Sequence, residues 1–86
     1  MRYEVRYTKD ALKALSRMPR NQAQLIAAKI DQLADGGKAL ANNVKKLQGR
    51  EGYRLRIGGY RVIYTVDKGK LIVTVIAVGA RGGIYD

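Results

Sequence analysis

The chain has 86 residues, carries 17 Lys+Arg against 7 Asp+Glu for a net charge of +10, and contains neither cysteine nor histidine. That composition excludes a disulfide framework and a thiolate metal site, removes the commonest general base and metal ligand, and leaves acid/base chemistry to Lys, Tyr, Asp or Glu. No metal and no cofactor is expected, and since no run approaches the ~18 apolar residues of a membrane span, the expected setting is the cytoplasm without membrane contact.

One small domain over residues 1–86 fits this length, with a thin core that buries roughly 60–65% of the unfolded surface. The charge is spread along the chain: residues 1–49 carry ten basic and four acidic side chains, and residues 50–86 carry seven and three. A basic folded surface of this kind suits a nucleic acid or an acidic protein partner.

Residues 2–7 alternate strictly and read as a strand, with Tyr3, Val5 and Tyr7 inward and Arg2, Glu4 and Arg6 outward. Thr8 is placed to cap a short helix, Asp10 suits its first turn, and Ala11, Leu12, Leu15 and Met18 form the apolar stripe until Pro19 stops it. Asn21 is expected to cap a second helix with a stripe through Gln22, Leu25, Ile26, Ile30 and Leu33, ending at Gly36-Gly37. From Lys38 to Glu51 the pattern weakens to an irregular connection anchored by Leu40, Val44 and Leu47. Its cations Lys45, Lys46 and Arg50 are candidates for contact with RNA on charge alone.

Gly58-Gly59 is a strong hairpin signal, because primed turns need positive φ. Counting outward pairs Ile57 with Tyr60, Arg56 with Arg61, Leu55 with Val62, Arg54 with Ile63 and Tyr53 with Tyr64. Arg54, Arg56 and Arg61 then share one face. Like charges directly across a ladder are destabilising, so the arrangement reads either as an anion site or as a solvated face with the guanidinium heads splayed into water. Tyr60–Val66 and Leu71–Val78 are the most strongly β segments, joined by a turn at residues 67–70. Tyr53, Leu55, Ile57, Tyr60, Val62, Tyr64 and Val66, with Leu71, Val73 and Val75, form a floor for the helices. The expected fold is α+β: a small, four-stranded, mainly antiparallel sheet with the N-terminal two-helix hairpin packed on one face and the arginines left uncovered on the other.

Five of the six tyrosines fall on the apolar side of their strands, where core packing outweighs base stacking. Tyr85 lies beyond the last strand, and position alone makes it part of a frayed terminus.

Asn43–Gly49, the Tyr53–Tyr64 hairpin with its Arg-x-Arg and Gly-Tyr-Arg elements, Ile76–Arg81 and Ile84-Tyr85 together resemble the RelE/ParE superfamily of bacterial and archaeal toxins, as does the opening strand and helical hairpin. The resemblance spans nearly the whole chain. It implies a RelE-like fold, a cognate acidic antitoxin as partner, and one of two activities: ribosome-dependent cleavage of mRNA in the ribosomal A site, or poisoning of DNA gyrase as in ParE-type toxins. A non-catalytic basic nucleic-acid-binding module is the third reading. For the RelE type, the resemblance implies catalytic roles for Arg54, Arg56, Arg61, Arg81 and Tyr85, moving Tyr85 from terminus to site. Arginines suit the binding of a scissile phosphate but not proton abstraction, since their pKa exceeds ~12. The 2′ proton then falls to Tyr85, with Arg81 supporting the leaving oxygen. Retention of Arg81 and Tyr85 with the three sheet arginines favours the ribonuclease over the gyrase poison.

Overall fold

Alternation at the N-terminus produces strand β1 (Glu4–Tyr7), and the computed structural model, which describes residues 2–36 and 44–80, follows it with helices α1 (Lys9–Arg17) and α2 (Arg20–Ala34) and strands β2 (Val44–Lys46), β3 (Tyr53–Ile57), β4 (Tyr60–Asp67) and β5 (Ile72–Ala80). The strands form a five-stranded sheet in the order β1-β5-β4-β3-β2, with β1 parallel to β5 and every other pair antiparallel.

The fifth strand corrects the expectation of four. β2 falls in the stretch expected to be irregular, and it offers only one apolar residue, too little for an alternation to show. Pairing makes it a strand: Val44 lies across from Leu55, Lys45 from Arg54 and Lys46 from Tyr53. The connection to β3 closes where Leu47 N–H donates to the Gly52 carbonyl at 3.0 Å. Gly52 has φ +123°, and a Cβ there would come within 3.0 Å of the Tyr64 carbonyl oxygen, so the site admits no larger residue without a shift.

The first helix begins where expected and the second two residues earlier, and the buried stripes of both are rotated. The side chain of Thr8 caps α1 by accepting from Ala11 N–H. α2 starts from Pro19, whose carbonyl accepts from Gln22 and Ala23 N–H at 3.0 Å, so Asn21 lies inside the helix and caps nothing. In α1 and at its C-cap the residues on the core are Ala11, Ala14, Leu15 and Met18; in α2 they are Ile26, Ile30, Leu33 and Ala34. Leu12 and Leu25 sit one residue off these i, i+3, i+4, i+7 stripes and stand 54% and 43% exposed. Gly36 ends the helical hairpin at φ +127°, while Gly37 lies outside the described residues.

The helices cover the face carrying Tyr53, Leu55, Ile57, Tyr60, Val62, Tyr64, Val66, Val73, Val75 and Val78. Leu71, expected on that floor, instead closes the β4–β5 turn at φ +57°, a left-handed conformation, and Asp67 Oδ1 steadies the same turn by accepting from Lys70 N–H at 3.0 Å.

One irregularity decides what the end of β5 presents. Ile63 pairs with Ala77 but Tyr64 pairs with Val75, leaving Ile76 as an extra residue in a β-bulge. Without it, the inward phase of Val73 and Val75 would continue to Ala77 and Gly79. With it, Val78 turns inward and Ala77 and Gly79 turn outward. Thr8 holds this bulge to the start of α1: its hydroxyl donates to the Ile76 carbonyl at 2.7 Å, and its N–H donates to the Val75 carbonyl at 3.0 Å. Among the described residues, no helix is long and apolar enough to cross a membrane.

Candidate nucleic-acid interface

The β3–β4 hairpin has the register counted from its sequence, with Arg56 opposite Arg61 and Arg54 opposite Ile63. Positive φ at Gly58 but not at Gly59 fits a type II′ turn, which sets that register. Adding β2 and β5 completes two rows across the outer face: Lys45, Arg54, Ile63 and Ala77, then Arg56, Arg61 and Gly79. Four cations from three adjacent strands therefore share one end of the sheet, bordered on β5 by the two smallest side chains available. That border forms a low rim beside the arginines.

This face is not uncovered, as had been expected. Ile63 is fully buried although it points away from the helices, Arg54 and Arg61 are half-buried, and Arg61 Nη1 is shielded from solvent. Arg56 remains exposed. Beside it, Arg56, Gly58, Gly59, Tyr60 and Arg61 line a pocket of about 240 Å³, with volume to spare for a phosphate group beside the two arginines.

The described carboxylates that form ion pairs do so elsewhere. Arg2 reaches the end of α2, donating through Nη2 to Asp31 and through Nη1 to Asp35 at 2.9 Å, and these hydrogen bonds raise its pKa above the ordinary arginine value. Arg6 Nε donates to Glu4 at 2.5 Å on the edge strand β1. The sheet thus gathers positive charge in the β2–β4 half of the face, and the ion pairs of Asp31, Asp35 and Glu4 lie away from it. Repulsion between two guanidinium groups at cross-strand distance costs about 1 kcal/mol in water and rises as water is excluded. A phosphate accepting bidentate, charge-assisted hydrogen bonds relieves that repulsion.

The sheet divides the three cations that charge alone had grouped. Lys45 lies on the arginine face, Lys46 is across from Tyr53 on the opposite side, and Arg50 stands in the β2–β3 connection. Arg81 and Tyr85 lie outside the described residues. Tyr3, Tyr7, Tyr53, Tyr60 and Tyr64 all pack on the helix-covered core, as expected, and the Tyr53 and Tyr64 rings stack with centroids 5.5 Å apart. Burial first, and the neighbouring Tyr53 second, push the Tyr64 hydroxyl up to about 12. Tyr7 is held above its ordinary value by burial and then by Asp31. Neither phenol is suited to accept a proton at neutral pH.

Sequence reasoning missed the membership of Lys45, because β2 carries no periodic signal. It also missed the outward turn of Ala77 and Gly79, although the phase break from Val73-x-Val75 to Val78 was there to be read.

A two-helix hairpin on one face of a β1-β5-β4-β3-β2 sheet, with a basic cluster on the other, is the architecture of small toxins encoded with antitoxins. The family described as "ParE toxin of type II toxin-antitoxin system, parDE" matches residues 5–85. A RelE-like toxin protein of Escherichia coli is 31% identical over 81 residues, covering 94% of this chain and 85% of that one. Among solved structures, the chain resembles the archaeal RelE–RelB complex from Pyrococcus horikoshii OT3, at 30% identity and a TM-score of 0.80, covering 98% of this chain and 100% of that one. It also resembles the intact E. coli RelBE toxin-antitoxin complex, at 26% identity and a TM-score of 0.76, covering 91% and 95%. The chain belongs to the ParE toxin family, within the RelE/ParE superfamily of type II toxin-antitoxin toxins.

Proposed function

We propose that this toxin is a ribosome-dependent endoribonuclease that cleaves mRNA in the ribosomal A site and so inhibits translation in the cytoplasm. The observation that carries the reading is the cluster of Arg54, Arg56 and Arg61 on one sheet face, with a pocket lined by Arg56 and Arg61 that has room for a phosphate. The substrate's own 2′-hydroxyl attacks the adjacent phosphorus, the P–O5′ bond breaks, and the products are a 2′,3′-cyclic phosphate and a 5′-hydroxyl. The arginines hold the phosphate and stabilise the charge that grows on its oxygens in the transition state. Arg81 and Tyr85 complete the proposed catalytic set: Tyr85 accepts the 2′ proton and Arg81 steadies charge on the leaving oxygen. Lys46 and Arg50, lying off this face, are assigned to ribosomal RNA contact.

The P. horikoshii and E. coli RelE structures named above were solved in complexes with RelB antitoxins. A cognate antitoxin with an acidic segment is the corresponding partner here, and its binding to a +10 toxin is expected to be fast and salt-sensitive. The match to a family described by ParE supports a second reading, a DNA gyrase poison.

Translation of a defined message in a purified system, with RNA 5′ ends mapped by primer extension, separates the two. Cuts confined to the A-site codon, absent without ribosomes and lost in Arg81→Ala and Tyr85→Phe, support the ribonuclease. Intact message from a protein that still arrests growth, together with double-strand breaks that require gyrase and ATP, supports the poison.

A further inference from the structure

We propose that Lys45 is the general acid of RNA cleavage, giving its Nζ proton to the 5′ oxygen as that oxygen leaves. The inference rests on the ribonuclease reading and adds a group that the sequence had marked only as an RNA contact.

An alkoxide leaves phosphorus poorly unless it is protonated in the transition state, so the site needs a proton donor on the side opposite the attacking 2′ oxygen. An arginine supports negative charge but does not surrender a proton near neutral pH. Along the two rows of the basic face, the described side chains are three arginines, one isoleucine, one alanine, one glycine and Lys45. Among them Lys45 alone carries an ammonium group, which gives up a proton more readily than a guanidinium does. The tyrosines of β3 and β4 are ruled out by placement, since they pack on the other face.

The ladder sets Lys45 beside Arg54, one row from the pocket residues Arg56 and Arg61. It lies directly across the β2–β3 ladder from Arg54, which puts their Cβ atoms about 4.5–5.5 Å apart. Its side chain is exposed at the sheet edge, with a four-carbon stem long enough to reach over the neighbouring arginine toward a bound phosphate. The adjacent Lys46 is turned to the opposite face by the period of two and cannot substitute for it. In the step itself, the 2′ oxygen forms its bond to phosphorus and releases its proton to the base. The P–O5′ electron pair moves to the 5′ oxygen, and the Nζ–H bond breaks to supply that oxygen's proton, leaving a neutral amine that solvent reprotonates.

The test compares Lys45→Arg with the unaltered toxin on ribosomes programmed with two messages: one all-oxygen, and one with a single bridging 5′ sulfur at the scissile position. A thiolate leaves without protonation, so it removes the need for the acid while keeping the phosphate. Lys45→Arg preserves charge and phosphate contact. It is expected to slow single-turnover cleavage of the ordinary message by about 100-fold or more, and to cut the 5′-sulfur message within about threefold of the unaltered toxin. Lys45→Arg cutting both messages at the unaltered rate overturns the proposal and leaves Lys45 as an electrostatic contact. Equal slowing on both messages also overturns it, and assigns Lys45 to binding or positioning. An unaltered toxin that cuts neither message overturns the ribonuclease reading, and this proposal with it.

Discussion

On the helix-covered face of the sheet, Leu55 lies across from Val62 and Val62 from Val78; one residue along the same strands, on the other face, Arg56 lies across from Arg61 and Lys45 from Arg54. The inner positions lower the free energy of the fold by removing apolar surface from water. The outer ones set like charges side by side, an arrangement that by itself opposes folding. Residue parity along β2–β4 therefore separates two kinds of consequence, and variants can be chosen that strike one without the other.

The largest effect is expected from Arg56→Ala. Under the proposed ribonuclease activity, losing one donor to the transition state should lower cleavage by about 100- to 1,000-fold, while the thermal midpoint holds or rises slightly because a like-charge pair is gone. Single-turnover cleavage beside calorimetry checks both halves, and a large fall in the midpoint would break the separation of the faces. The inner counterpart, Ile30→Ala, should cost about 3 kcal/mol of stability in urea titration. That is a large share of what a domain of this size holds, so the variant loses activity only as far as it unfolds.

Tyr64 sharpens the same contrast through pH. Its hydroxyl titrates near 10 in the unfolded chain and is pushed up to about 12 in the fold, so the folded state keeps the proton longer. The stabilising contribution is complete below pH 10 and is lost as pH rises toward 12, a fall of about 2 kcal/mol. In Tyr64→Phe that part of the alkaline slope should vanish from denaturation midpoints measured between pH 9 and 12. Thr8→Val removes both the cap of α1 and the hydroxyl bond to the Ile76 carbonyl, for about 1–2 kcal/mol. Because the bulge sets the phase of the basic face, cleavage should fall beyond what the unfolded fraction explains. Smallest of all, Lys46→Ala, on the inner side of the edge strand, should change cleavage by less than about threefold, and that change should shrink as salt is raised.

How much of this was legible varied with the length of the repeating signal. The register of β3 on β4 followed from two glycines and a period of two, because a two-residue turn allows little else. The start of α1 followed from Thr8, whose capping geometry is local. β2 did not show itself: three residues with one apolar side chain carry no period, and only the neighbouring strand makes them a strand. That is why Lys45 and Lys46 look alike in sequence and fall on opposite faces in the fold. The bulge at Ile76 was half legible, since the valine spacing breaks there, but its hydrogen bond comes from Thr8, 68 residues away. The rotated helix stripes show the same limit. Leu12 and Leu25 are as apolar as their buried neighbours, and only the angle at which each helix meets the sheet decides which leucine is covered.

The parallel pairing of β1 with β5 also sets a schedule for synthesis. The first strand made has its only sheet neighbour in the last one described, Glu4 beside Ile72 and Tyr7 beside Val75. Helix α1 rests largely on β5 as well. The N-terminal third thus leaves the ribosome with an apolar face and nothing to lay it on, and such distant closure is slow as well as late. A product terminated before residue 72 has no platform for its helices and no bulge to orient the end of the basic face. A chain cut short there is expected to stay open and accessible to proteases.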